Sequence, residues 1–358
     1  MDTDDATAGL RDGLWEAVLD GDAYTAADVL HQGFDAGLDT ETLLLDVIGR
    51  VQAKVGTEWA ANRITVAQEH AATAVNERVI TTLTPRRPPR ASRGRVTVAC
   101  VDGDWHALPA RLVAEVLQLR GWQVDYLGAQ TPGPHLIAHL HRTDPEAVLL
   151  SSSIPTRLPT AHATITACQA VGVPVMVGGR AFGPDGRYAR AFGADRWAPD
   201  ARSAAAALEA GLPAPDPTAA RQAVDDLPHL ADQEYTMVVQ SRPLLVKQTL
   251  VDMEERFPAL RRYSDAQRER TAEDLAHIVD FLGTALYVDD ADLFTDFITW
   301  TAEILEARRV PVRSLLIGLE LLTDQLHDFP RATALLRAGT AALAARPVRP
   351  APEPEITA

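Results

Sequence analysis

A helical block, a parallel α/β block and a second helical block are what this sequence predicts. Three observations predict them. Between residues 95 and 212, short β-branched runs alternate with helical segments, the pattern of a parallel sheet covered on both faces. On either side, in 1–84 and 230–345, apolar residues recur at helical spacing. Proline-rich stretches separate the three. Residues 85–95 are rich in proline and arginine and read as an exposed connector, and residues 212–217 hold three alternating prolines that exclude helix or central strand. The tail from Arg346, with four prolines, reads as disordered.

Each block is justified by its own residues. Leu43, Leu44, Val47, Ile48 and Val51 mark a helix in the first. In the second, residues 96–101, 123–127, 147–151 and 173–177 are the predicted strands, with a shorter fifth at 195–197. In the third, Leu275, Ile278, Val279, Leu282 and Leu286 make one apolar stripe. Leu293, Phe294, Phe297, Ile298, Thr301, Ile304 and Leu305 make another, and Leu315, Leu319, Leu322 and Leu326 a third.

Composition narrows the function classes. A chain of 358 residues suits two or three domains, and 46% hydrophobic with 23% charged residues is ordinary for a globular protein. The net charge of −15 disfavours generic binding to nucleic acid or anionic membrane. Two cysteines, Cys100 and Cys168, are too few for a disulfide scaffold or a cysteine zinc site and suit a reducing compartment. The opening Met1-Asp2-Thr3-Asp4-Asp5 lacks a basic and apolar leader, and no apolar run reaches membrane-spanning length, so a cytoplasmic protein is expected.

In an open parallel sheet, ligands sit beyond the carboxyl ends of the strands. The loop after strand one carries Asp104 and His106, the loop after strand three Ser151 and Ser153, and the loop after strand four Gly178 and Gly179. Asp104 is placed to bond one nitrogen of His106 and leave the other free as a ligand. The hydroxyls can bond a polar ring edge, and the glycines let a bulky group lie flat on the backbone. In the first block, Thr65 and Gln68 have capping-box spacing, so a helix starts there, with Trp59 closing the preceding helix and Glu69 and His70 in the early turns of the next.

The strand-end set resembles the cobalamin-binding domain of methionine synthase, the corrinoid carriers and the cobalamin mutases, with its Asp-x-His-x-x-Gly, Ser-x-Leu and Gly-Gly. Here Pro109 stands for the first glycine and Ser153 for the leucine. The resemblance implies a Rossmann-like (flavodoxin-like) sheet, with His106 as lower axial ligand to cobalt and Ser151, Ser153 and Gly178 beside the cofactor's tail. Trp59 followed by Glu69-His70 resembles the CarH-type adenosylcobalamin photoreceptors, in which these residues line the adenosyl pocket. Ala60 stands where that family has its upper histidine, which leaves His70 as the alternative upper ligand.

The third block, with Arg261, Tyr263, His277 and Asp280 near several aromatics, is similar to the globin-like bilin domain of the photocobilins. That implies noncovalent biliverdin, since the block holds no cysteine. The expectation is therefore a light sensor without catalytic turnover, its partners being cobalamin, a bilin, an unidentified output protein and a second copy of itself. It would bind neither nucleic acid nor membrane. The alternative expectation is a corrinoid methyl carrier serving a methyltransferase system. Trp59 with Glu69-His70 counts against it, because a carrier must uncover its methyl group.

Overall fold

The computed structural model describes residues 3–83, 91–215 and 232–346. The expected connector at 85–90, the end of the second proline-rich stretch at 216–217 and the expected disordered tail beyond Arg346 lie outside them. The chain divides into two compact units, within residues 1–230 and 231–358.

The first unit opens with helices. α1 (Thr3–Leu19) and α2 (Ala23–Asp35) are followed by a continuous helix, α3, that begins as Thr40–Thr42, passes through a π-helical stretch Leu43–Ile48 and continues as Gly49–Ala60. α4 (Val66–Leu83) starts on the expected capping box. The Thr65 N–H donates to Gln68 Oε1 at 2.9 Å and the Gln68 N–H to Thr65 Oγ1 at 3.2 Å. Leu14, Leu30, Leu43, Leu44, Ile48 and Ile80 are fully enclosed among these helices.

The α/β part then runs β1 (Arg95–Cys100), α5 (Ala107–Leu119), β2 (Gln123–Gly128), α6 (Gly133–Thr143), β3 (Ala147–Ser151), α7 (Leu158–Ala170), β4 (Val175–Gly178), α8 (Arg187–Ala191), β5 (Arg196–Ala198) and α9 (Ala201–Ala210). All five strands are parallel, in the order β2-β1-β3-β4-β5. Chain order reverses between β1 and β3, where such a sheet opens its ligand crevice. β4 begins two residues later than expected. Pro174 has no N–H for a ladder, and its carbonyl instead accepts from the Val148 N–H at 2.9 Å.

Helices and sheet share packing. Leu108 and Leu112 of α5 enter the core of the helical cap, and Leu45 packs against both the cap core and the sheet core. Pro109 takes the third helical position of α5, where its missing N–H removes no intrahelical bond, so the substitution for glycine leaves the helix start intact.

The second unit is all-helical: α10 (Glu234–Arg256), α11 (Asp265–Val288), α12 (Ala291–Ala307), α13 (Arg313–Gln325) and α14 (Pro330–Ala345). The three expected stripes supply its buried Leu275, Leu282, Phe294, Ile298, Leu319 and Leu322. Buried Glu234 accepts from the N–H groups of Arg331 and Ala332 at 3.1 and 2.8 Å, a carboxylate on the open N-terminus of α14. Among the described residues, no helix is long and apolar enough to cross a membrane.

Candidate cofactor site at the switch point

Cys100, Ser151, Gly178 and Ala198 stand in one row across the sheet. The loops after β1, β3 and β4 therefore leave at one level, about 4.8 Å from strand to strand. That row turns three loops distant in sequence into one surface.

Asp104 is its fixed centre. The side chain is fully buried and accepts four hydrogen bonds. Oδ1 takes the backbone N–H and ring Nδ1 of His106, both at 2.9 Å. Oδ2 takes Ser152 Oγ at 2.9 Å and the Ser153 N–H at 2.6 Å. Burial alone pushes this carboxyl up, but the His106 ring and backbone, the Ser153 N–H and the Ser152 hydroxyl outweigh it and hold the carboxyl well below the usual carboxylate range. Ionised, it is acceptor only, so the proton of the neutral imidazole sits on Nδ1 and Nε2 is left with its lone pair.

His106 is 52% exposed in its side chain. Its hydrogen bond to Asp104 raises its pKa against partial burial, aided by the charges of Asp104 and Glu69 and opposed by that of Arg180. Glu69 of α4 and Arg180 after β4 thus both bear electrostatically on the imidazole. A single imidazole held by a carboxylate suits a metal that arrives with its other ligands in place. Among the described residues, no group of three or more His, Cys, Asp and Glu is gathered to hold a bare ion. Burial, with Asp104 close by, pushes the Cys100 thiol up to about 12, so it stays neutral.

The glycines are explained by close approach. Gly179 has φ +101°, and a Cβ there would stand 2.2 Å from the Ser152 carbonyl oxygen. The Ser152 N–H in turn donates to the Gly178 carbonyl at 3.1 Å, locking the β3 and β4 loops together. Ser151 and Ser153 are half-buried along this edge. Ser152 is the functional residue that sequence reading missed. Side chains alternate along an extended segment, and the middle serine is the one turned to Asp104.

In the cap, Trp59 lies in the last turn of α3, packed against the helical core. Glu69 lies in the first turn of α4, and its carboxylate accepts from Thr73 Oγ1 at 3.2 Å. His70 is 75% exposed in its side chain, and its Nδ1 lies 2.9 Å from the Val66 carbonyl and 2.7 Å from Glu69 Oε2. The residues expected around a bilin are not gathered in the same way. Arg261 and His277 are exposed, and Tyr263 meets Phe257 edge-on at 6.4 Å. Asp280 is taken by the Arg242 guanidinium, with Nε 2.6 Å from Oδ1. The nearby rings pack on one another, with Phe281 stacked on Phe297 at 3.7 Å.

Comparison with known proteins agrees with this geometry. Two family models, each described as a B12 binding domain, match residues 10–84 and 94–209. Together they support cobalamin binding by a helical region and a parallel α/β core. The trimethylamine corrinoid protein of Methanosarcina barkeri is 25% identical over 205 residues, covering 55% of this chain and 94% of that protein. The HTH-type transcriptional repressor CarA of Myxococcus xanthus is 28% identical over 178 residues, covering 48% of this chain and 58% of that protein. The solved Methanosarcina barkeri monomethylamine corrinoid protein superposes with a TM-score of 0.50 at 21% identity, over 57% of this chain and 99% of its own, and shows the shared fold. The trimethylamine corrinoid proteins overturn the light-sensor expectation, and with it the photoreceptor and light-signalling readings and the bilin reading of the third block. Three trimethylamine corrinoid proteins are matched over nearly their whole length, by 55% of this chain. What this chain is similar to, over these residues, is a corrinoid protein.

Proposed function

We propose that this chain is a corrinoid methyl carrier: residues 10–209 hold cobalamin and present its methyl group to a methyltransferase system. The observation that carries the reading is the buried Asp104, whose hydrogen bonds fix His106 with Nε2 open at the switch point of the sheet. Near-complete coverage of trimethylamine corrinoid proteins makes a methylated amine the first donor class to test. When bound, the cofactor supplies a cobalt that takes up and gives up a methyl group.

The chain's own residues do the rest. His106 would hold the cobalt through Nε2, and Asp104 holds the ring's tautomer and angle and strengthens it as a donor. Ser151, Ser153, Gly178 and Gly179 would supply the polar and sterically open edge for the cofactor's tail. Trp59, Glu69 and His70 stand on the cap side, where they set which upper group is admitted. We take the methyl form as the working one, and methylcobalamin should bind at least as tightly as adenosylcobalamin. Turnover belongs to the partner enzymes. For the C-terminal unit we retain a globin-like helical packing, supported by its long helices and stacked aromatic core, with no pigment assigned.

The test uses protein carrying isotopically labelled histidine and loaded with cobalamin reduced to its paramagnetic cobalt(II) form. The cobalt electron paramagnetic resonance should show coupling to a protein nitrogen that vanishes in His106→Ala. Methyl transfer to a thiol acceptor, catalysed by a methyltransferase, should then deplete the methylcobalamin-loaded chain. A loaded chain showing no histidine coupling overturns the site, and one that gives up no methyl group to corrinoid-dependent methyltransferases overturns the carrier role.

A further inference from the structure

Trp105 is the anomaly of the site. It lies between the buried Asp104 and the half-exposed His106, yet its side chain is 74% exposed, far more than an indole normally shows. The backbone around it is not free to withdraw it. Its carbonyl accepts from the Ala107 N–H at 2.8 Å, the Asp104 N–H donates to Val101 at 2.9 Å, and the flanking side chains are bonded to each other. The loop therefore holds the Trp105 backbone at a fixed place beside His106, with its indole open to solvent. Its place beside the imidazole makes this indole apolar surface available to whatever His106 holds.

We propose that Trp105 is a positioning residue for the corrin: its indole packs against the macrocycle held by His106 and sets both its affinity and its seat. Adjacent Cα atoms lie only about 3.8 Å apart. A macrocycle bonded to the His106 ring is wider than that step, so the neighbouring indole is within its reach. The occupant is thus the cofactor itself rather than a protein partner. This inference rests on the cobalamin-binding reading but not on methyl transfer.

The experiment uses the full chain and methylcobalamin in dim light. Hydroxyl-radical labelling is read residue by residue by mass spectrometry, and equilibrium dialysis measures affinity. On loading, labelling of Trp105 should fall at least fivefold, while Trp300, 43% exposed in the other unit, keeps its labelling and serves as the internal standard. Trp105→Ala should weaken binding about tenfold and Trp105→Phe about threefold at most, with thermal midpoints near wild type because the side chain supports little of the core. A loaded chain whose Trp105 stays as reactive as before overturns the proposal, as does a Trp105→Ala variant with wild-type affinity. Protection that appears only when a methyltransferase is added also overturns it, in favour of a protein contact. A wild-type chain that takes up no methylcobalamin overturns the cobalamin reading and this one with it.

Discussion

Asp104 shows how much one side chain can decide. It spans β1 and β3 loops 48 and 49 residues apart, because each oxygen serves a different loop. Replacing it with alanine leaves the buried Ser152 hydroxyl and two N–H groups without partners, so Asp104→Ala should lose about 3 kcal/mol in urea unfolding. Asp104→Asn keeps the shape but loses the charge that orders the imidazole. It should weaken cobalamin binding by roughly 10- to 100-fold by equilibrium dialysis, with a smaller loss of stability. At Gly179 the constraint is steric. A methyl group would meet the Ser152 carbonyl in a backbone conformation that disfavours side chains, so Gly179→Ala should lower stability by about 2 kcal/mol, visible as a lower thermal midpoint. The residue pairs Asp104–His106 and Gly178–Gly179 were legible in the sequence because each is local. Ser152 was not, since a run of three serines does not say which hydroxyl turns inward.

At the scale of elements, α3 links two regions. Over residues 40–60 it spans about 30 Å. Its first turns are tied to the sheet side, where Glu41 bonds Arg120 at 2.9 Å and Asp46 bonds Arg202 at 2.7 Å, while its last turn carries Trp59. The π-helical stretch Leu43–Ile48 coincides with the tied end. The Arg202 hydrogen bond is the main reason Asp46 has a lowered pKa, against some burial. A carboxyl lowered on folding contributes stability above its unfolded pKa and loses it as pH falls through the folded value. The stability gap between wild type and Asp46→Asn, measured by urea titration, should be full near about pH 7 and close below about pH 4. The helix start at Thr65 is a simpler case: Thr65→Ala should cost about 1 kcal/mol of stability by removing half of the capping box.

For the whole molecule, the division into two compact units has a direct consequence. Every proposed cobalamin contact lies within residues 1–230. A chain ending at residue 230 should therefore bind methylcobalamin with an affinity within about threefold of the full chain by equilibrium dialysis, well under one kcal/mol. A large loss would assign the second unit a part in binding. The order of helical, parallel α/β and helical regions was readable from periodicity, and the second unit's stripes supply much of its core, with Thr301, Ile304 and Leu305 only half-buried. Its function was not readable from them. Apolar spacing specifies that helices pack, whereas a pocket requires side chains from several helices to leave a space, and Arg261, His277 and Asp280 do not do so.

The chain by itself determined the alternation of helix and strand, the helix start at Thr65 and the candidate imidazole with its carboxylate. These depend on residues within a few positions of each other, where backbone geometry leaves few choices. Only the folded arrangement decided that Cys100, Ser151 and Gly178 share a row, that Ser152 locks Asp104, and that Glu69 of the cap bears on His106. Those relations join segments tens of residues apart. Strand order and packing place them, and no spacing along the sequence encodes the distance between them.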